Sequence, residues 1–582
     1  MRQSLARFCL LASALTFAGA TFTGTSTAQT RKKPAAAQTA QPSGAQPGKP
    51  KPKGGAKHQD IELDDTGSAS AVSAGQMTEE AATAKRLFDN ERWAEAGLGL
   101  YRVYKGETGD DEGNKQIAQY HLAIALYRLK FFQASYGIFS EIADKPSHLK
   151  FNETLLWLSK LATQLPEPAD IVERVGKYSA DAVARFKNPQ QIDLYWQLNY
   201  LLGRYKYRNR QYEEAIQLFD KVDGKSKYHV QAQFFSGISY VQLRKSVPAV
   251  QAFQRIVESI DEGTEGVEDE ARMRDLAYLS MARTYYSASI KLDENNTPSI
   301  DETKLSAAVK FWNKVDVGSE YWLDGLFEES WAYFMAGDYP HALGNIHTIG
   351  APYFPKSFYP EAEILKAVIY FVNCQYEDAT TVVARFKSKY EPIKKDLEEV
   401  LARFQGENQE EPFFKFLKEV RAGTADLKPT IQPIVDNSLS DRQLLRNIEY
   451  VRVLDEEEKR FRKAPQSFQN SPLGGDVKDA LQLARDLAVR SAGTLARERY
   501  QRTLDELNEH LRNGAKILID VTAAERNQLD AQIATGQVSE AESRVYGVVK
   551  PDDEHALWPF DGEFWRDELG FYRQVVSSKC GR

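Results

Sequence analysis

Residues 200–222 read YLLGRYKYRNRQYEEAIQLFDKV, and residues 234–256 read FFSGISYVQLRKSVPAVQAFQRI. The two stretches share a glycine, an alanine, a phenylalanine and a β-branched residue at the same places, 34 residues apart: Gly203 and Gly237, Ala215 and Ala249, Phe219 and Phe253, Val222 and Ile256. Apolar residues at spacings of three and four indicate helices. A fixed period of this length indicates stacked helical hairpins.

Weaker copies of the pattern extend in both directions. Upstream they comprise Ala84, Leu87, Ala96, Leu100 and Val103, then Ala123, Leu126, Ser135, Phe139 and Ile142. Downstream they comprise Ala308, Trp312 and Val315, then Ser330, Tyr333, Ala342, Ile346 and Ile349, then Ala367, Tyr370, Ala379, Val383 and Phe386. An insertion at Asp293–Asp301 interrupts the series, and residues 151–190 form a degenerate unit.

This order of small and large residues resembles the tetratricopeptide repeat family. The resemblance implies an all-α fold, a right-handed superhelix of helical hairpins over residues 77–390, followed by a long-helix C-terminal region. The glycine would let the first helix of a hairpin approach the second closely. Stacked hairpins of this kind enclose a concave groove.

In that family the groove is lined by one face of each first helix. When the family's spacing of groove residues is applied to this sequence, it predicts a partner-binding set of aromatic residues and one arginine. The set is Tyr120, Tyr127, Tyr200, Arg204, Tyr207, Phe234, Tyr286, Phe327, Trp331, Phe334 and Phe371. Aromatic residues and arginine are favoured at protein interfaces. The alternative for each residue is contact with the next repeat.

The N-terminus has the pattern of an export signal. Arg2 and Arg7 precede an apolar run and small residues ending at Ala28, which predicts a signal peptide over residues 1–28 and a periplasmic protein. Cleavage near Ala20 or an uncleaved anchor are alternatives. Residues 29–76, rich in Pro, Ala and Lys, predict a disordered tether. The tether also carries basic residues, which allow two interpretations. It is either a plain linker or a segment that contacts the envelope surface.

The charge balance argues against nucleic acid as a partner. The signal holds two of the 75 basic residues, so 73 basic residues remain against 82 acidic ones, a net charge of −9. Cys374 and Cys580 also remain after cleavage. They either pair or stay as free thiols.

The C-terminal region has a different pattern. Residues 391–545 predict charged helices, with a break over 464–475 and one long helix over 476–533. An apolar seam on that helix requires a partner, either the 440–462 helix folding back or another protein; it comprises Tyr500, Leu504, Leu507, Leu511, Ala515 and Leu518. Residues 546–582 are rich in aromatic residues and predict docking onto the long helices or a latch for a partner.

The search for chemistry yields no catalytic or metal-ligating set and no cofactor motif. The two closest histidines, His341 and His347, are six residues apart, which does not match the spacing of a zinc helix. We therefore expect a protein that is not an enzyme.

The predicted function is a scaffold that binds other envelope proteins. The overall plan resembles periplasmic tetratricopeptide scaffolds of bacterial motility or transport machines, including those of adventurous gliding motility. Alternatives are peptidoglycan binding or remodelling, similar to the helical arrays of lytic transglycosylases, and a role in outer-membrane assembly.

Overall fold

The computed structural model describes residues 73–264, 267, 269–292, 298–432, 434–435, 441–535, 544–546 and 556–580. The predicted signal peptide and the predicted tether as far as residue 72 lie outside the described residues. Among the helices of the described ranges, none combines the length and the apolar character that a membrane span requires.

The chain begins with two hairpins and an irregular unit. The hairpins are α1 (Glu79–Asp89) with α2 (Trp93–Tyr104), and α3 (Glu112–Arg128) with α4 (Phe132–Ala143). The degenerate unit predicted over 151–190 forms α5 (Thr154–Leu161), a 3₁₀ turn (Glu167–Ala169), α6 (Ile171–Val175) and α7 (Ala180–Ala184).

Five regular hairpins follow. They are α8 (Ile192–Arg208) with α9 (Tyr212–Phe219), α10 (His229–Gln242) with α11 (Ser246–Asp261), α12 (Glu270–Ser289) with α13 (Glu302–Trp312), α14 (Trp322–Ala336) with α15 (Tyr339–Ile349), and α16 (Pro360–Val372) with α17 (Tyr376–Ala402). The insertion between α12 and α13 folds as an antiparallel pair, β1 (Ile290–Leu292) and β2 (Pro298–Ile300). The predicted fold class is confirmed.

Glycine sets the distance between the helices of a hairpin. A Cβ atom at Gly203 would lie 2.6 Å from the ring of Phe219, and one at Gly237 would lie 2.4 Å from the ring of Phe253. Any side chain there would push the helices apart. The role predicted for these two glycines is therefore confirmed by the packing.

The turns within the hairpins also recur. The second residue after the first helix has a left-handed backbone at Arg210 (φ 59°), Arg244 (φ 57°) and Cys374 (φ 54°). The next amide then bonds back to the first helix, as when Gln211 N donates to Lys206 O at 2.9 Å. This geometry ends a helix and reverses the chain within a few residues.

After α17, the chain returns along the repeats. Its elements are α18 (Glu410–Arg421), a 3₁₀ turn (Pro429–Ile431), α19 (Arg442–Lys463), α20 (Gln466–Gln469), α21 (Pro472–Thr535), β3 (Arg544–Tyr546), a 3₁₀ turn (Arg566–Glu568) and β4 (Val576–Ser578). The break predicted over 464–475 is shorter than expected. Ser471 Oγ accepts from Gly474 N at 3.0 Å, so α21 is capped and begins at Pro472.

Helix α21 joins the first hairpin to the last. Near its start, Tyr101 of α2 donates a hydrogen bond to Asp476 at 2.8 Å. About 60 Å further along the helix axis, at 1.5 Å per residue, Gly514 lies against Val383 of α17 and Ile364 of α16. We call α21 the brace, because it fixes the two ends of the repeat array relative to each other.

The partner of the predicted seam is the chain itself. The brace packs first on α19, where Arg485 donates to Asp455 at 2.6 Å, and then on α18, where the rings of Tyr500 and Phe413 are 5.4 Å apart. Beyond Leu507 the buried side shifts: Leu511 and Leu518 are half-buried against the repeats as predicted, whereas Ala515 is exposed and Gly514, Ile517 and Val521 are buried. A straight helix rotates relative to a seven-residue repeat, which explains the shift.

Candidate functional site

None of the predicted groove residues forms an open aromatic surface. Five of them are buried: Tyr120, Tyr200, Tyr207, Tyr286 and Trp331. The other six are half-buried: Tyr127, Arg204, Phe234, Phe327, Phe334 and Phe371. Their neighbours explain the burial.

The buried aromatic residues fill the contacts between successive helices. Tyr120 accepts a hydrogen bond from Trp157 Nε1 at 3.0 Å, and the ring of Tyr286 lies 5.6 Å from that of Trp312. The prediction that these five side chains face a partner is therefore corrected. In this chain these side chains pack on neighbouring helices.

Arg204, the charged member of the predicted set, is linked to α19 through one shared carboxylate. It pairs with Glu167, which also binds Arg208 and Arg446 of α19. Burial alone would raise the pKa of Glu167, but the three guanidinium groups hold it below its usual range. The 3₁₀ turn that carries Glu167 thus joins α8 to α19.

Two further anchors hold α19 against the repeats. Tyr450 donates to Gln133 Oε1 at 2.6 Å, and Glu457 accepts from Gln133 N at 3.2 Å. Glu457 is fully buried, and burial raises its pKa to about 8. At neutral pH its carboxyl is therefore mostly protonated. At the other end of α19, Arg442 donates to Glu320 at 2.6 Å.

Two neighbouring glutamates of α14 are also buried. Glu328 accepts two hydrogen bonds from the guanidinium of Arg283, at 2.6 and 2.9 Å. Glu329 accepts from Asn345 at 2.9 Å, and burial raises its pKa to about 7. A carboxyl with a raised pKa can indicate an active site. Here both glutamates are enclosed between helices, which favours a structural role in the array.

The C-terminal residues 556–580, which we call the terminal segment, dock across α14, α15 and α16. Its backbone bonds directly to the repeats. Gln574 N donates to Pro340 O at 3.0 Å, and Lys579 N donates to Asn373 O at 2.9 Å. Leu569 and Val576 of the segment are buried in the repeat cores. The predicted docking onto the long helices is therefore wrong.

A glycine and a histidine of α15 shape the docking surface. The segment passes so close to Gly344 that a Cβ atom there would lie 1.6 Å from the carbonyl oxygen of Tyr572. One turn later, the ring of His347 is surrounded by Phe560, Phe564 and Tyr572, with centroids 4.5 to 5.0 Å away. Burial lowers the pKa of His347 to about 4, so it is neutral at physiological pH.

A disulfide closes the terminal segment. Cys580 is bonded to Cys374, the left-handed residue of the turn between α16 and α17, with a Cα–Cα distance of 5.1 Å. This distance lies within the range that a disulfide spans without backbone movement. The bond ties the chain end to the last hairpin.

The outer side of the terminal segment is apolar and exposed. We call it the aromatic face, and it consists of Leu557, Trp558, Phe560, Trp565 and Phe571. Phe571 is 75% exposed and Trp558 51%. Acidic residues of the same segment, such as Asp561 and Glu568, are exposed beside it. Exposed apolar patches with polar rims are typical of interaction sites.

The sequence reasoning missed α19 and Gly344 as parts of the site. The charged composition of α19 concealed its buried face, whereas a glycine in the middle of α15 was a usable signal for a close approach. Within the described ranges, no group of three or more His, Cys, Asp or Glu is placed to hold a metal ion.

Comparisons with known proteins give only distant likenesses. No protein-family model and no curated protein matches the chain. Apo RapI is 12% identical over 66% of this chain and 98% of its own, with a TM-score of 0.30. A tetratricopeptide repeat protein from Parabacteroides merdae is 13% identical over 53% of this chain and 91% of its own, with a TM-score of 0.19.

A third similar structure is a putative kinesin light chain from Podosopora anserina with TPR-like repeats. It is 14% identical over 41% of this chain and 96% of its own, with a TM-score of 0.18. These low scores carry no argument about function. The repeat spacing, the close glycine contacts and the recurring turns show that the chain is a tetratricopeptide-like helical-repeat protein.

Proposed function

We propose that this protein is an exported, non-catalytic scaffold that holds other proteins of the bacterial cell envelope on a rigid helical frame. The aromatic face is its main partner-binding surface. Tetratricopeptide-like arrays act widely as protein-binding scaffolds, which gives the class but not the partner.

The observation that carries the proposal is the contrast between the buried aromatic residues of the predicted groove and an exposed aromatic face. Tyr120, Tyr200 and Trp331 are buried between helices, and the brace connects the two ends of the array. A frame fixed in this way loses little conformational entropy on binding. The four aromatic side chains of this face offer the large aromatic area that protein interfaces use; they are Trp558, Phe560, Trp565 and Phe571.

The periplasmic location is part of the proposal. It is supported by the signal-like sequence of residues 1–28 and by the Cys374–Cys580 bond, since disulfides persist mainly in oxidising compartments. The order of the segments along the sequence favours a role in a motility or transport machine of the envelope.

Crosslinking and pull-down from the cell envelope test this function. The test variant carries Leu557→Ser, Trp558→Ser and Phe571→Ser. The matched control carries Val247→Ser, Leu483→Ser and Leu487→Ser, three apolar side chains that are 60 to 68% exposed elsewhere on the molecule. Circular dichroism checks that both variants keep the helical content of the wild type.

The proposal predicts that envelope proteins co-purify with the wild type and the control but are lost from the test variant. Equal recovery with all three forms would reject the aromatic face. If no protein is recovered and purified peptidoglycan binds instead, the scaffold function itself is wrong.

A further inference from the structure

The terminal segment contacts the repeats in the manner of a bound peptide. Its backbone amides donate to carbonyl groups at the ends of helices, and single side chains such as Leu569 and Val576 enter apolar pockets. Extended peptides are recognised by this combination of main-chain bonds and pockets. The receptor surface consists of α14, α15 and α16, and Gly344 gives it the depth that the peptide backbone needs.

We propose that this surface is a peptide-binding site that also accepts the terminal segment of a second copy of the chain. In the exchanged dimer, each copy would hold the other's segment. This inference goes beyond the scaffold function, because it concerns self-assembly.

Exchange retains these docking contacts, since they lie between the terminal segment and the stretch of repeats from α14 to the start of α17. Cys374 would then bond to Cys580 of the other copy. The closed monomer and the exchanged dimer therefore differ mainly in effective concentration and in the geometry of the connecting chain.

The end of the brace leaves the body of the molecule. Ala524 is its last half-buried residue among those described, and the turns that follow form an exposed arm of about 15 Å at 1.5 Å per residue. Strand β3 pairs with β4 and would travel with it in the exchange.

The arm itself favours a second copy as the occupant. Leu529 and Ile533 lie one helical turn apart on the arm, and they are 58% and 80% exposed. Two copies related by a two-fold axis would bring the same apolar pair together from both sides. The exchanged dimer thus covers a surface that the monomer leaves in water.

The covalent step is an ordinary thiol–disulfide exchange. Two cysteine thiols, one from each copy, react with one molecule of glutathione disulfide. The products are the intermolecular disulfide and two molecules of glutathione thiol, so electrons and protons balance.

Two full-length variants make the test specific. The acceptor carries Val576→Asp and Cys580→Ser, which disable its own segment and leave the receptor surface intact. The donor carries Gly344→Ala, which blocks its receptor surface with a Cβ atom 1.6 Å from the position of the Tyr572 oxygen. A control donor carries Gly137→Ala, where the added Cβ meets nothing within 4 Å.

The variants are mixed under reducing conditions and then oxidised with glutathione disulfide. We expect a covalent heterodimer of twice the chain mass, linked through Cys374 of the acceptor and Cys580 of the donor. Each variant alone should remain monomeric, and the control donor should close on itself. Adding Cys374→Ser to the acceptor should abolish the heterodimer.

Two results would overturn the proposal. Absence of the heterodimer, with both variants shown to be folded, would mean that the site does not take a second copy, even if a synthetic peptide of residues 556–580 binds the acceptor. Efficient formation of the internal disulfide in the Gly344→Ala donor would mean that the site geometry is wrong. Neither result depends on envelope partners, so the scaffold function is tested separately.

Discussion

Replacing Gly493 by alanine should separate the brace from α18. A Cβ atom at this position would lie 1.9 Å from the carbonyl oxygen of Glu410, the first residue of α18. Both contacting groups belong to helix backbones, so neither can rotate away. The helices would have to move apart by about 1.5 Å to restore an ordinary contact.

The size of the effect follows from two opposing terms. Overpacking of this kind costs about 1–3 kcal/mol. Replacing glycine by alanine inside a helix returns about 0.5–1 kcal/mol. We therefore expect a net destabilisation of about 1–2 kcal/mol, concentrated where α18 meets the brace.

Gly475→Ala is the matched control, since it lies on the same helix and its Cβ would meet nothing within 4 Å. It should leave stability unchanged or raise it by up to about 1 kcal/mol. Urea unfolding followed by circular dichroism measures both variants, and hydrogen exchange locates the change. If Gly493→Ala is as stable as Gly475→Ala and α18 keeps its protection, the packing of the brace is wrong.

Three further predictions concern the repeats and α19. Gly237→Ala should lower the melting temperature, because its Cβ would lie 2.4 Å from the ring of Phe253, and Phe253→Leu in the same chain should recover part of the loss; no recovery would contradict the contact. The contribution of Glu457 to stability should fall as pH rises from about 4.5 to 8, because Glu457 keeps its proton in the folded state up to a pKa of about 8 while the unfolded carboxyl loses it near its ordinary value. In that range Glu457→Gln should remove up to about 1.4 kcal/mol of this loss per pH unit. Parallel curves of unfolding free energy against pH for the wild type and the variant would refute the raised pKa of Glu457. Arg446→Met should increase hydrogen exchange in α19 without unfolding α8, because Glu167 keeps its bonds to Arg204 and Arg208; unchanged exchange would show that the ion pair does not hold α19.

The repeat architecture could be predicted because its signals are local. The spacing from Gly203 to Phe219 and from Gly237 to Phe253 lies within one hairpin, and the physical reason is one close helix contact. The seam of the long helix was predicted for the same reason, with Ala515 as the exception. At that position, the partner helices rather than the sequence period decide which side is buried.

The folding back of α19 onto the long helix was one of the two predicted partners, but its position against the repeats could not be predicted from the sequence. Tyr450 meets Gln133 across more than 300 residues, and no local pattern records such a contact. The same holds for the terminal segment, whose partners lie on α14–α16. The groove prediction placed Tyr120 and Tyr286 on the correct helices but could not tell a partner from the next repeat, because both surfaces favour aromatic residues.

Zero-length carbodiimide crosslinking of the monomer tests the central claim most directly, namely that the brace ties the first hairpin to the last. This reagent joins a lysine to a carboxylate only when the two are in contact. Lys105 of α2 lies 3.4 Å from Asp476 at the start of the brace, and Lys428 lies 2.6 Å from Asp396 as an internal reference. We predict both crosslinks within one chain. Recovery of the Lys428–Asp396 crosslink without the Lys105–Asp476 crosslink would contradict the braced frame.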